Sequence, residues 1–206
     1  EEKDYYEKIK SFVQSHFSLN PRVYVKHSKL GKCLKLVVYS KHFAETLMTY
    51  GITKNKTFTT RIPNEFLEWE KSKFIIKGIF ETDGCLYFSK SKVMEYPSYP
   101  RLEIDTSSSE LAEQILTLLN ENGFAARSYK NRKTIVIYMS GENVLNKWVE
   151  EIGFSSYKNW SKYLLWKKLG YYIPRLSLPE RDTLLRAGGQ EAKIGKANSK
   201  RIPAED

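Results

Sequence analysis

The sequence predicts an α+β fold made of two related halves, and three observations predict it. The same succession of helix, two strands and helix occurs twice along the 206 residues. The strands of both successions alternate apolar and polar residues, as antiparallel sheets do when one face is covered. Between the two, over Lys73 to Phe88, an apolar helix ends on Asp83 and Gly84 and turns directly into a strand.

The first succession opens with a helix from Asp4 to Phe17, in which Tyr6, Ile9 and Val13 recur at helical spacing. Strands Arg22 to Lys26 and Lys35 to Ser40 follow, then a helix from His42 to Tyr50 that ends at Gly51. The second runs from a helix at Glu110 to Asn122, with Leu111, Ile115, Leu118 and Leu119 on its buried face, to strands Arg127 to Lys130 and Thr134 to Ser140. A helix from Glu142 to Glu151 and Gly153 close it, so even the exits match, Gly51-Ile52-Thr53-Lys54-Asn55-Lys56 against Gly153-Phe154-Ser155-Ser156-Tyr157-Lys158. Agreement in order, period and landmark residues points to duplication.

The segment between the halves carries the chemistry. Gly78 sits inside the helix, where it costs stability relative to alanine but lets a second helix approach closely. Asp83 places a carboxylate at the helix tip, where metal chemistry is possible. Ordinary turn chemistry also uses Asp-Gly, and Gly84 serves equally as a helix C-cap.

With motif and repeat together, the chain resembles the LAGLIDADG homing endonucleases of the two-repeat, single-chain kind. Ile76-Lys77-Gly78-Ile79-Phe80-Glu81-Thr82-Asp83-Gly84 lies over their nine-residue signature, and the exits, Arg61-Ile62-Pro63 and Leu165 to Tyr171 are similar too. The resemblance implies two pseudo-symmetric repeats, each an antiparallel DNA-binding sheet backed by helices. It divides the chain into a partial first repeat at 1–72, a second repeat at 73–172 and a C-terminal extension with a flexible basic tail at 173–206. The second repeat has a motif helix and two strands with no counterpart in the first, so about 35 residues, including a first motif helix and its acid, are expected ahead of Glu1. An upstream segment, a separate N-terminal fragment or a second copy of the chain is the expected source, and in an isolated chain the helix from Phe74 to Thr82 is expected to show an uncovered face.

The implied activity is site-specific, metal-dependent hydrolysis of phosphodiesters in double-stranded DNA, as in intron or intein mobility. Asp83 is the expected catalytic acid and metal ligand, Thr82 a second metal contact, Gly78 and Glu81 the helix interface, and Mg2+ or another divalent cation the cofactor. On the strand faces, Arg22, Tyr24, Lys26, Lys35, Tyr87, Ser89, Arg101, Glu103, Arg127, Tyr129, Lys130 and Thr134 are the expected DNA-facing residues. The alternative is a non-cleaving relative, an intron RNA maturase or a regulator, that keeps the sheets and has lost one acid.

Composition fits either reading. Thirty-four Lys and Arg against 24 Asp and Glu give a net charge of +10, as suits a protein that neutralises phosphates. Cys33 and Cys85 lack metal-ligand spacing and read as reduced core or strand residues. No apolar run reaches membrane-spanning length and no signal peptide is visible, so a cytoplasmic, reducing location is expected. Ser107 and Glu110 read as a capping box, Trp148, Trp160 and Trp166 as core with Leu145, Leu164 and Leu165. His16, His27 and His42 have no chemistry assigned. Lys54, Lys56, Lys158 and Lys162 read equally as phosphate contacts or as a solvated charge run. Lys193, Lys196, Lys200 and Arg201 lie in the tail.

Overall fold

The computed structural model describes residues 3–28, 31–52, 56–90 and 95–187. Lys54 and the four tail cations lie outside them. Helix α1 (Lys3–Phe17), strands β1 (Arg22–Ser28) and β2 (Gly31–Val37) and helix α2 (Lys41–Thr49) form the first half. Helix α3 (Trp69–Asp83) and strands β3 (Gly84–Ser89) and β4 (Tyr99–Thr106) follow. The second half is α4 (Ser109–Glu121), β5 (Arg127–Asn131), β6 (Thr134–Ser140) and α5 (Glu142–Glu151), and α6 (Tyr157–Leu169) and α7 (Leu178–Arg186) complete the chain. The succession helix, strand, strand, helix therefore does occur twice. At both exits a glycine takes the left-handed conformation that suits it, Gly51 at φ 76° and Gly153 at φ 73°.

The strands form two antiparallel sheets, β1-β2 and β3-β4-β6-β5. In the larger one, Leu86, Leu102 and Met139 align across three strands, and Ile104 pairs with Ile137. That face carries the core, packed under Ile76 and Phe80 of α3, Ile115 and Leu119 of α4, and Leu145 and Trp148 of α5. The Phe80 ring lies 4.8 Å from that of Trp148 and 5.7 Å from that of Phe154, so the acid-bearing helix is held by aromatic packing as well as by buried area.

The two halves are unequal. Val13 and Pro21 are the only buried side chains among those described in residues 3–58, while Val23 and Val25, on the apolar face of β1, are 42% and 55% exposed. The connection to the second half is nevertheless tightly fastened. The Gln114 side chain accepts from Ile62 N at 2.7 Å and donates to Ile62 O at 3.0 Å, and Ser108 Oγ donates to Thr60 O at 2.6 Å. Ile62 is 1% exposed and belongs to the second core, that of the larger sheet.

Three local expectations need correction. The N-cap of α4 is Ser108, whose side chain accepts from Leu111 N, and Glu110 instead meets Arg61 at 3.3 Å. Where three serines run together, the spacing to Glu110 does not decide which one caps. A reciprocal capping box does exist at α7, between Ser177 and Glu180. The second strand of the first hairpin ends at Val37, because Ser40 is needed to accept from Phe43 N as the cap of α2. Leu164 is 40% exposed and so stands outside the core face of α6.

Candidate nucleic-acid interface and acid-tipped helix

Helix α3 is buried along Ser72, Ile76 and Phe80, one face at four-residue spacing. The stripe of Lys71, Phe74, Gly78 and Thr82 on the other side is exposed, with Phe74 at 64%, and a Cβ built on Gly78 would meet nothing within 4 Å. The uncovered face expected of this helix is therefore present among the described residues.

The helix ends abruptly because of Gly84. Its backbone is extended (φ −106°, ψ 169°), so a left-handed cap is not the reason for glycine here. Space is the reason, since a Cβ at this position would lie 2.5 Å from Phe80 O and 2.8 Å from Phe80 Cα. Only glycine lets the chain pass from the last turn of α3 straight into β3, and that leaves Asp83 at the tip.

Asp83 is exposed, and its Oδ2 accepts from Thr82 Oγ1 at 3.0 Å. The same Thr82 hydroxyl lies 3.0 Å from Ile79 O, so it is occupied in orienting the carboxylate and the helix end. Asp83 lines a cavity of about 700 Å³ together with Gly78 and Thr82 of α3, Asp105 of β4 and Thr134 of β6. Asp105 was not among the expected site residues. The alternation Arg101, Glu103, Asp105 puts it on the polar face, and the sequence carries no sign that this end of β4 comes up beside Asp83.

Glu81 corrects another expectation. Its carboxylate does not join the exposed stripe but turns to the start of α6, accepting from Ser155 N, from Ser156 N and from Asn159 Nδ2. Negative charge at a helix N-terminus satisfies peptide donors that the helix leaves without partners. Glu81→Ala is expected to lower stability by about 2 kcal/mol, the worth of one hydrogen bond to a charged group (about 1.5–3 kcal/mol), because water takes the place of the carboxylate at the partly exposed donors. Thermal denaturation should show a drop of about 4–8 °C, and a smaller one for Glu81→Gln, which keeps an acceptor oxygen.

Antiparallel partners share a face, so strand register sorts the remaining candidates. Tyr24 pairs with Lys35, and Arg22 and Lys26 lie on the same side of the first hairpin. In the large sheet, Tyr87 pairs with Arg101, and Cys85 aligns with Glu103 and Tyr138. Arg127 pairs with Tyr138 and Tyr129 with Val136. Ser89, Arg101, Glu103, Arg127, Tyr129 and Thr134 thus join Tyr87 on one face. Lys130 does not, because it pairs with Ile135, which packs against the core. Both sides of edge strand β5 are solvated, so alternation alone does not tell which side Lys130 takes.

The polar face is organised by its own contacts. Arg101 Nε donates to Ser89 Oγ at 3.1 Å and its guanidinium lies 5.8 Å from the Tyr99 ring. Tyr87 donates its hydroxyl proton to Glu103 Oε1 at 2.5 Å. Partial burial, and then the neighbouring carboxylate, push Tyr87 up to about 12. Since the folded value exceeds the ordinary 10.0, the neutral phenol favours the fold, fully below pH 10 and progressively less as pH rises through about 12. Urea unfolding between those two pH values should show a steeper loss of stability in the wild type than in Tyr87→Phe.

Residues 70–153 match the family model of the LAGLIDADG-like domain. Among solved structures, the chain is similar to I-DmoI, determined in complex with DNA and Mn, at 17% identity, 75% coverage of each chain and a TM-score of 0.47. No curated protein sequence matches it. The matched residues run from the first turn of α3 to the glycine that ends α5, so the acid-tipped helix lies inside the part of the chain that matches the LAGLIDADG-like domain.

Proposed function

We propose that this chain acts on double-stranded DNA as a site-specific endonuclease of the homing type, hydrolysing phosphodiesters with a divalent cation. The observation that carries the proposal is Asp83, exposed at the tip of a helix whose outer face has Gly78 at its centre and no cover among the described residues. The duplex would lie on the polar faces of the sheets, with Arg101, Arg127 and Tyr129 facing it.

The donors around Asp83 suit a hard cation. The polar side chains on the cavity wall carry oxygen only, beside Ile75, Ile79 and Leu111, and among the described residues neither histidine nor cysteine lines it. Among the described residues no group of three or more His, Cys, Asp or Glu side chains is placed to hold a metal. That leaves Asp83, with Asp105 lining the same cavity, and Mg2+ is commonly held by one or two carboxylates completed by phosphates and water. The ion would polarise a phosphoryl oxygen and lower the pKa of an attacking water. The protein's own part is to aim Asp83 through Thr82 and to present the sheet faces to the duplex.

A second acid would come from another helix laid on the Phe74–Gly78–Thr82 stripe, brought by a second copy of the chain or by a separate segment. Gly78→Leu tests this. It should raise the stability of the chain by about 0.5–1 kcal/mol, because leucine is the better helix former and its Cβ would have no atom within 4 Å. It should also abolish Mg2+-dependent cleavage of a random duplex library, because the leucine blocks close helix approach. A wild-type chain that binds the library but never cuts it would leave the non-cleaving nucleic-acid binder as the function.

A further inference from the structure

On the far side of β3 from β4, the chain builds a second cavity, of about 520 Å³, between β3, α6 and residues 174–177 ahead of α7. Lys158, Lys162, Arg175 and Arg181 line it, and among the described residues no acidic side chain does. Two of these cations also hold the wall. Lys162 Nζ donates to Leu86 O at 2.9 Å, on the open edge of β3. Arg181, 1% exposed, donates to Ser161 Oγ and to Lys158 O, each at 2.8 Å. Arg175 is exposed and has φ 63°, a left-handed conformation that is costly for an arginine and free for a glycine. Four cations around one concavity repel one another, and a strained non-glycine residue at its mouth is a feature found where a side chain is kept for what it binds.

We propose that this cavity is a phosphate-binding pocket that takes a backbone phosphodiester of nucleic acid. The proposal rests on the reading of the polar sheet face as the DNA-binding surface. Tyr87 belongs to both the pocket wall and that face, so a duplex on the sheet would bring its backbone past the pocket. Such a contact fixes the position of the duplex without reading its sequence. It also accounts for a basic residue at a backbone conformation that glycine would occupy without strain.

The test measures duplex binding by fluorescence anisotropy over a range of salt for the full chain and for Arg175→Gly, Lys158→Ala, Arg175→Lys and a charge-matched control, Lys41→Ala, on α2. Arg175→Gly should keep or raise the melting temperature, weaken duplex binding by about 3–10-fold and reduce the slope of log K against log salt by about one contact. Lys158→Ala should act in the same direction, whereas Arg175→Lys and Lys41→Ala should keep the wild-type slope. Wild-type affinity and slope in both Arg175→Gly and Lys158→Ala would overturn the proposal. If the unaltered chain binds no duplex, the DNA reading fails by itself, and a titration with inorganic phosphate followed by NMR then judges the pocket. Saturable shifts at residues 158, 162 and 175 that Arg175→Gly abolishes uphold a phosphate site fed by free phosphate; their absence rejects it.

Discussion

Asp83→Asn is expected to abolish DNA cleavage while leaving the protein bound to duplex and slightly more stable than the wild type. Removing the negative oxygen from the expected metal ligand withdraws stabilisation from the hydrolytic step, and a loss of about 3–5 kcal/mol corresponds to a rate lower by about two to four orders of magnitude. The stability change has the opposite sign. Asp83 is the last residue of α3, where a carboxylate opposes the negative end of the helix dipole, so neutralising it should return about 0.3–1 kcal/mol. Single-turnover cleavage, anisotropy with the same duplex and a thermal melt separate the three effects. A variant that still cuts at the wild-type rate would remove Asp83 from the chemistry, and one that loses duplex binding together with cleavage would make it a structural residue.

Gly84→Ala should be the most damaging single-methyl change in the molecule. The new Cβ would lie 2.5 Å from Phe80 O, 2.5 Å from Phe80 Cδ2 and 2.8 Å from Phe80 Cα. The ring is packed against Trp148 and Phe154, and the backbone oxygen and Cα move only if the last turn of α3 moves with them. Overpacking of this kind costs about 1–3 kcal/mol. The larger effect is on position, because the residue displaced with the helix end is Asp83, and a shift of about 1 Å in a reacting group can cost about a hundredfold in rate. Urea denaturation should show the stability loss, and cleavage under conditions where the variant remains folded should show the rest. A Gly84→Ala protein with normal stability and activity would mean that the passage from α3 to β3 is looser than its geometry implies.

Much of this architecture was legible in the sequence because it is written in periodicity. The buried face of α4, the alternation in β4 and β6, and the paired glycines that end α2 and α5 all follow from spacing alone. What spacing does not carry is direction at the ends and edges of elements. Glu81 lies one step around the helix from Gly78's stripe, and only the arrival of α6 from 74 residues downstream (Ser155 N to Glu81 Oε1) decides that its carboxylate faces away. Lys130 sits on a strand solvated on both sides, where no hydrophobic partner reports its face. Asp105 and Arg175 become interesting through what lies next to them in space. Nothing in Pro174-Arg175-Leu176 reveals a left-handed arginine or a basic cavity.

The unequal burial of the two halves has a consequence for motion. A region opens by local unfolding at a free energy set by its own buried contacts, and the first half, with Val13 and Pro21 as its only buried described side chains in residues 3–58, has few to lose. Its hairpin amides should exchange with deuterium far sooner than those of β4 and β6, while the Gln114 clamp on Ile62 keeps the opening from spreading into the second core. One half then acts as a fixed template and the other as an adaptable arm, whose ordering on a bound surface costs conformational entropy. On the proposed DNA-binding function, tolerance of sequence variation in the stretch of duplex facing the arm is the property that this asymmetry would confer.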